Sequence, residues 1–365
     1  MTLEEDIVEG INSGDFSPEV SECIAIDYAE KFRKDIAQKF YREKVGISEK
    51  RFIEYILIEN TRAILRESPA TFYTLLKYYD ELREALNLKY LTTYKKYRDH
   101  DRKRKSLKKN TKKILKRNFT RRVGEIYILD TTIGKVDLSK IRKGKKIKDG
   151  IYDAEFLHSS TKGSVVGFTV CMLINWSTLS VVKVKFYPKN ASKKEIWEEM
   201  VINTLGSKTG KLKMVIADAG FFAYQNYVSS PHRRIIPVIK SRKDLKDKVL
   251  KKVRGIPALL TWWDNRYSKM KNVLITDLDD IIKMTISCIK NYDKLKKIRG
   301  QIEIIFKTAK HIFGMEELHV YFEDAAYWKV YIYLYLASIF LQYLKTQNIN
   351  IYRAVELLQQ KGGLT

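Results

Sequence analysis

Two aspartates occupy positions where an extended chain seldom carries a carboxylate. Asp130 lies within EIYILDTT, and strand alternation places it on the same face as Ile126 and Ile128. A carboxylate on such an apolar face is costly unless a partner compensates it. Asp218 ends the apolar run MVIAD, which predicts the carboxyl end of a buried strand, where α/β sheets tend to bind ligands. Taken singly, each aspartate is better explained as the cap of a neighbouring loop or helix.

A third set of charged side chains follows in the segment Lys296–Gly314, whose isoleucines recur at helical spacing. Arg299, Glu303 and Lys310 lie four and seven residues apart, so at about 100° per residue they fall within roughly 40° of one another. One interpretation is an Arg299 to Glu303 surface ion pair beside a solvated lysine. The other is a metal-binding carboxylate between two cations that bind phosphate.

The intervening chain predicts elements that can position these residues. Runs of β-branched and aromatic residues at 125–132, 163–175 and 179–188 predict three successive strands. A helix at Lys193–Leu205, a strand ending at Asp218 and a further strand at 233–241 follow. This order predicts an α/β fold.

The charge of the chain indicates a polyanionic partner. Its 365 residues include 69 Lys and Arg against 43 Asp and Glu, a formal net charge of +26, while 45% of residues are hydrophobic. That apolar content argues against intrinsic disorder, and a folded protein this basic most often faces nucleic acid or an anionic membrane. Three cysteines form neither a disulfide framework nor a zinc site.

Much of the positive charge is concentrated at residues 94–122, a segment that contains 15 basic and two acidic residues. A solvated helix or linker is the simpler interpretation, but like charges at this density favour a partner that neutralises them. Phosphates of a nucleic-acid backbone would do so by counterion release. The DNA-binding residues predicted here are Arg102, Lys103, Arg104, Lys105, Lys108, Lys109, Lys112 and Lys113.

The two ends of the chain predict helices. Residues 17–94 contain amphipathic patterns compatible with a helix-turn-helix or with any helical bundle. The opening MTLEEDIVEG lacks the apolar core of a signal peptide, so we expect a cytoplasmic protein. Val330–Leu341 has 12 residues without a charge, short of the roughly 18 of a membrane span. It predicts a buried helix, with a membrane-associated segment as the alternative.

The motifs YILDTT around Asp130 and VIADAGF around Asp218, followed by the Arg299, Glu303 and Lys310 spacing, resemble the catalytic core of DDE transposases from prokaryotic insertion sequences. The last three match the subgroup signature of Tyr, two residues, Arg, three residues, Glu, six residues, Lys. Here Lys296 occupies the Tyr position, and Tyr292 lies one helical turn earlier. The resemblance covers Glu125 to about Leu341.

The resemblance implies a ribonuclease-H-like core with the first Asp on the first strand, the second just after the fourth strand and the Glu on a later helix. Asp130, Asp218 and Glu303 would be both catalytic residues and ligands of two Mg²⁺ or Mn²⁺ ions. Arg299 and Lys310, with Lys296, would bind DNA. The implied partners are double-stranded DNA, as terminal inverted repeats and target, and a second copy in a homodimer. The implied location is at the nucleoid, without a membrane.

The predicted organisation has four parts. Residues 1–93 form a mainly helical domain that binds DNA ends, 94–122 a basic linker or helix, 123–345 the catalytic domain, and 346–365 a C-terminal helix or tail. The catalytic domain contains an inserted subdomain of β character at about 242–290. Its Trp262 and Trp263 are candidates for stacking on a flipped base, as the resemblance implies, or for packing in a core.

The predicted function is therefore a DNA transposase that cleaves the ends of an insertion sequence, with hairpin formation as one route, and joins the 3′ ends to target DNA. Two other classes remain open from the residues. One is a DNA-binding protein derived from a transposase that has lost catalysis, although such a module would need none of the three carboxylates. The other is a structure-selective nuclease on the same fold, which would cleave without joining strands.

Overall fold

The computed structural model describes residues 27–34, 47–65, 67–88, 91, 93–97, 126–136, 154–159, 163–206, 211–240, 250–251, 253, 275–316, 318 and 323–360. The chain divides into two compact units. The first comprises Met1–Thr120, Gly134–Gly167 and Ile304–Thr365, and the second comprises Arg121–Ile133 and Phe168–Glu303.

A mixed sheet organises the α/β part of the chain. Its strands are β1 (Ile126–Lys135), β2 (Glu155–Ser159), β3 (Gly163–Asn175), β4 (Val181–Tyr187), β5 (Lys213–Ala217) and β6 (Ile235–Ile239). Their order is β2-β3-β1-β5-β6, and β4 also pairs with β3. The β1–β5 and β5–β6 pairs are parallel, whereas β2–β3 and β3–β4 are antiparallel. The α/β class and the five strands predicted from sequence are confirmed, and β2 is an additional strand.

The helices are α1 (Ile47–Ile64), α2 (Pro69–Tyr78), α3 (Asp80–Ala85), α4 (Lys193–Trp197), α5 (Asn203–Leu205), α6 (Tyr224–Ser229), α7 (Ile275–Lys290), α8 (Tyr292–His311), α9 (Glu323–Thr346) and α10 (Ile351–Gln360). A π-helical turn, Glu198–Ile202, joins α4 to α5. The helix predicted at 193–205 is thus one helical stretch with a local widening, a feature often found near functional sites.

In the second unit, alternate residues of the central strands face two different cores. Tyr127 and Leu129 of β1 pack with Trp197 and Phe221 in one cluster. Ile126 of β1 packs on the opposite face with Ile216 of β5 and with apolar residues of α7 and α8. The period-two alternation of a strand therefore places Asp130 on the Ile126 face, as predicted from sequence.

The first unit is built mainly of helices. Residues 27–34 are helical, and Tyr28 packs edge to face on Phe340 of α9 with ring centroids 4.9 Å apart. The Tyr28 hydroxyl donates to Asn60 of α1 at 3.1 Å. Val330–Leu341 lies within α9, most of whose side chains are buried, which confirms the predicted buried helix. Among the helices that the structure describes, none combines the length and apolar character needed to cross a bilayer.

Several predictions fall on residues outside the described ranges. The described part of 1–93 is helical, as predicted. The described residues within 242–290 are also helical, and the expected β character there concerns residues that are not described. The eight basic residues from Arg102 to Lys113, as well as Trp262 and Trp263, likewise lie outside the described residues.

Candidate active site

Asp130 and Asp218 extend from neighbouring strands at the same edge of the sheet. Strands β1 and β5 are parallel with Leu129 opposite Ala217, so the two aspartates are the next residues in register. Asp218 continues β5 in an extended conformation, with φ −73° and ψ 165°. Side chains in register on adjacent parallel strands point to the same face. The strand pairing therefore brings together two carboxylates that are 88 residues apart in sequence.

A third carboxylate joins this pair through one arginine of α8. Arg299 Nη1 donates to Asp130 Oδ2 at 2.7 Å, and Arg299 Nη2 donates to Glu303 Oε1 at 2.5 Å. The Arg299 and Asp130 side chains are only 17% and 12% exposed, whereas that of Glu303 is 57% exposed. The partner that the sequence required for Asp130 is therefore Arg299, which also makes the predicted ion pair with the exposed Glu303.

The negative charge of this group exceeds what the arginine neutralises. Burial raises the pKa of Asp130 from 3.8 to about 6, and the charges of Asp218 and Glu303 add to the increase. The Arg299 guanidinium and a 2.8 Å hydrogen bond from the Thr131 N–H to Oδ1 lower it without reversing the shift. The Arg299 charge therefore does not offset the cost of burying this carboxylate.

Asp218 does not act as the cap that its position after a strand would suggest. A 3₁₀ turn, Ala219–Phe221, follows it, but the Asp218 side chain makes no capping hydrogen bond to that turn. The carboxylate is half-buried, and its charge acts on both Asp130 and Arg299. Of its two sequence interpretations, the geometry favours membership of the carboxylate group.

Tyr292 is a residue of this site for which the sequence predicted no role. Its hydroxyl donates to the Ala217 carbonyl at 3.3 Å, directly before Asp218. Burial raises the pKa of Tyr292 to about 12, and the negative charges of Asp218 and Asp130 contribute despite the opposing charge of Arg299. The signal in the sequence was its spacing, because positions 292, 296, 299 and 303 recur along one stripe of a helix.

Two further cations of this helix, Lys296 and Lys310, were predicted from sequence to bind DNA. Lys296 is exposed on α8, and no contact joins it to the carboxylates among the residues described. Lys310 lies seven residues beyond Glu303 on the same helix and is partly exposed. Arg299, in contrast, contacts two of the three predicted catalytic carboxylates.

The donor chemistry fits a hard divalent cation, since all three side chains offer carboxylate oxygens. In the arrangement described, however, Arg299 lies between Asp130 and Glu303. Among the described residues, no three His, Cys, Asp or Glu side chains are grouped closely enough to hold a metal ion. A site formed by all three carboxylates therefore requires the Arg299 side chain to move.

Comparisons with known proteins bear on this arrangement. A family model described as "Transposase DDE domain" matches residues 121–339, more than half of the chain and a range that contains all three carboxylates. No curated protein matches the chain in sequence. A solved structure, the cryo-EM structure of a piggyBac transposase synaptic complex with hairpin DNA, is similar at 9% identity with a TM-score of 0.45, covering 98% of this chain and 78% of that one. The chain belongs to the transposase DDE domain family.

Proposed function

We propose that this protein is a DNA transposase that binds the ends of an insertion sequence, cleaves them by metal-dependent phosphoryl transfer and joins the 3′ ends to target DNA. The observation that carries the proposal is the grouping of Asp130 with Asp218 and, through Arg299, with Glu303. These residues come from a strand, a strand end and a later helix, in the order that a ribonuclease-H-like core requires. When the added strand β2 is left out of the count, Asp218 follows the fourth strand.

Asp130, Asp218 and Glu303 are the residues that would hold Mg²⁺ or Mn²⁺, with two ions in each site. Bound ions of this kind activate an attacking oxygen and stabilise the leaving oxygen of a phosphoryl transfer. The raised pKa of Asp130 is compatible with this role, because a bound cation would favour the ionised carboxylate against its burial and against the charges of Asp218 and Glu303.

Arg299 would exchange its carboxylate partners for a DNA phosphate, which matches its guanidinium fork equally well. A cation would compete with Arg299 for the oxygens of Asp130 and Glu303, and a DNA phosphate would stabilise the released guanidinium. Lys310 would bind a second phosphate. The Arg299, Glu303 and Lys310 spacing supports membership of the subgroup with the Tyr-Arg-Glu-Lys signature, in which Lys296 stands at the Tyr position.

Water is the first nucleophile in the proposed reaction and nicks DNA at the element end. The freed 3′-hydroxyl is the second nucleophile. In the hairpin route it attacks the opposite strand, a second water opens the hairpin and releases the 3′-hydroxyl again, and this hydroxyl then attacks target DNA. Because transposition holds two ends together, the DNA complex would be a homodimer. In a prokaryotic cell, the protein would act at the nucleoid.

The remaining predicted DNA contacts complete the proposal. The helical residues 1–93 would recognise terminal inverted repeats, and the basic segment 94–122 would bind phosphates along the duplex. Either Trp262 or Trp263 would stack on a base flipped out beside the cleavage site.

Incubating the protein with labelled element ends and Mg²⁺ tests the proposal. We expect nicks, hairpins and strand-transfer products from the wild-type protein. Asp130→Ala should abolish all three while leaving end binding intact, and the exposed Asp280→Ala, in the same unit, should cleave like the wild type. Cleavage without joining would identify a nuclease, and binding without cleavage would identify a non-catalytic DNA-binding protein. Cleavage retained by Asp130→Ala would exclude the proposed site.

A further inference from the structure

A side chain of helix α8 forms a hydrogen bond to the carboxyl end of strand β5. The Tyr292 hydroxyl of α8 donates to the Ala217 carbonyl at 3.3 Å across 75 residues of sequence, and the bond is buried. Tyr292 itself is 7% exposed and packs with Ile216 of β5 and with Val238 of β6. Its ring and its hydroxyl therefore contact residues near the carboxyl ends of the neighbouring strands β5 and β6.

This hydrogen bond supplements the main-chain pairing at the end of β5. The ladder bond to the same carbonyl, from the Lys240 N–H, is long at 3.5 Å. The Asp218 side chain makes no capping hydrogen bond to the turn after it. The direction of its carboxylate consequently depends on the main chain at Ala217, which pairs with β1 and β6, and on the 3.0 Å bond from the Phe221 N–H to the Asp218 carbonyl.

We infer that Tyr292 is a positioning residue, whose hydroxyl fixes the end of β5 so that the Asp218 carboxylate stands beside Asp130 for cation binding. The inference rests on the proposed function, because it assumes that these two carboxylates bind a divalent cation. Replacing a residue that orients a metal ligand, without itself binding the metal, commonly weakens metal affinity by about 10- to 100-fold. Tyr292 would act in this way through the main chain.

The chain contains a matched control for this bond. The Tyr227 hydroxyl donates to the Ile239 carbonyl at 3.1 Å, and Tyr227 is 1% exposed. Ile239 ends β6 just as Ala217 ends β5, but Lys240 follows it where Asp218 follows Ala217. Tyr227→Phe thus removes the same kind of buried bond from the neighbouring strand β6, where the next residue in sequence is a lysine and not a carboxylate.

The test compares full-length wild type, Tyr292→Phe and Tyr227→Phe by calorimetric titration with Mn²⁺, by thermal unfolding and by the rate of nicking labelled ends. We expect Tyr292→Phe and Tyr227→Phe to lower the melting temperature by similar amounts. Only Tyr292→Phe should bind Mn²⁺ more weakly, by about 10-fold or more. Its nicking rate at low Mn²⁺ should fall, excess Mn²⁺ should restore it, and end-binding affinity should stay at the wild-type value.

Equal Mn²⁺ affinity in Tyr292→Phe and wild type would overturn the inference, as would the same loss of affinity in both variants. If the wild type binds Mn²⁺ and nicks DNA but Tyr292→Phe behaves identically, only the role of Tyr292 fails. If the wild type binds no divalent cation and nicks no DNA, the proposed function itself fails, and the inference with it.

Discussion

Each of the two units contains an arginine that pairs with carboxylates in a largely buried setting, and the two clusters are balanced differently. In the first unit, Arg62 donates to Glu59 at 2.8 Å, and the two side chains are 13% and 5% exposed. Tyr97 donates to the other oxygen of Glu59. Burial opposes ionisation of Glu59, but the charges of Arg62 and Lys329 and these hydrogen bonds lower its pKa. The chain's own groups therefore satisfy this carboxylate.

In the second unit, one arginine faces three carboxylates. Arg299 divides its guanidinium between Asp130 and Glu303, and Asp218 adds a further negative charge nearby. Here the pKa of Asp130 is raised to about 6, chiefly by burial. The Glu59 carboxylate is thus balanced by groups of the chain, whereas the Asp130 cluster carries more negative than positive charge, as the cation site of the proposed function requires. An ion pair between an arginine and a carboxylate therefore gives no indication of function unless the charges of the neighbouring groups are considered as well.

Neutralising one acid in each cluster should separate the two roles most strongly. We expect Glu59→Gln to cost about 3–5 kcal/mol of unfolding free energy, because it leaves Arg62 buried without its counter-ion. Asp130→Asn should cost less than about 1 kcal/mol, since it also removes repulsion with Asp218 and Glu303. Urea unfolding at neutral pH without metal measures both. Similar losses in the two variants would break the comparison.

The pH dependence of stability should have opposite signs in the two clusters. Because folding raises the pKa of Asp130 from 3.8 to about 6, its contribution to the unfolding free energy is present below about pH 4 and is lost as the pH rises through 6. The loss is about 3 kcal/mol at most. For Glu59, whose pKa is lowered from 4.5, stability is present above that value and is lost as the pH falls through the lowered pKa.

Unfolding free energies of wild type, Asp130→Asn and Glu59→Gln, measured in urea from about pH 2 to 8 without metal, check this prediction. The difference between wild type and Asp130→Asn should change across that range, with the variant gaining relative to wild type as the pH rises. A difference independent of pH would contradict the charge balance assigned to Asp130.

The smallest effect on stability is expected at Glu303. Its side chain is 57% exposed and contacts only one end of the Arg299 guanidinium, so Glu303→Gln should change the unfolding free energy by less than about 1 kcal/mol. Under the proposed function, the same variant should lose Mg²⁺-dependent cleavage. Urea unfolding and the labelled-end assay on one preparation measure both quantities, and a large loss of stability would place Glu303 with the structural cluster.

The strands could be predicted because their signals, β-branched residues and alternation, lie within the strand sequences themselves. Runs of β-branched residues marked β1, β3, β4, β5 and β6, and alternation placed Asp130 on the Ile126 face. Strand β2 was not predicted, since EFLHS is short and Phe156 and His158 are exposed. Its conformation depends on pairing with β3, from Glu155 opposite Gly167 to Ser159 opposite Gly163.

The site could be predicted only in part. Helical periodicity placed Arg299 and Glu303 on one face, but it could not show that this face covers Asp130, which is 169 residues from Arg299. Tyr292 was missed for a similar reason, because its partner is a main-chain carbonyl and no side-chain motif marks such a bond. The DNA contacts of the basic segment and of the two tryptophans remain predictions.

Titration of Mn²⁺ into metal-free protein tests the central claim most directly, because it requires no DNA. The proteins to compare are wild type, Asp130→Asn, Asp218→Asn and, as the control from the other cluster, Glu59→Gln. We predict saturable binding to wild type and to folded Glu59→Gln, and binding at least about 100-fold weaker, some 2.7 kcal/mol, in both aspartate variants. Equal affinity in wild type and the aspartate variants, or no binding to any of the four, would contradict a cation site at Asp130 and Asp218.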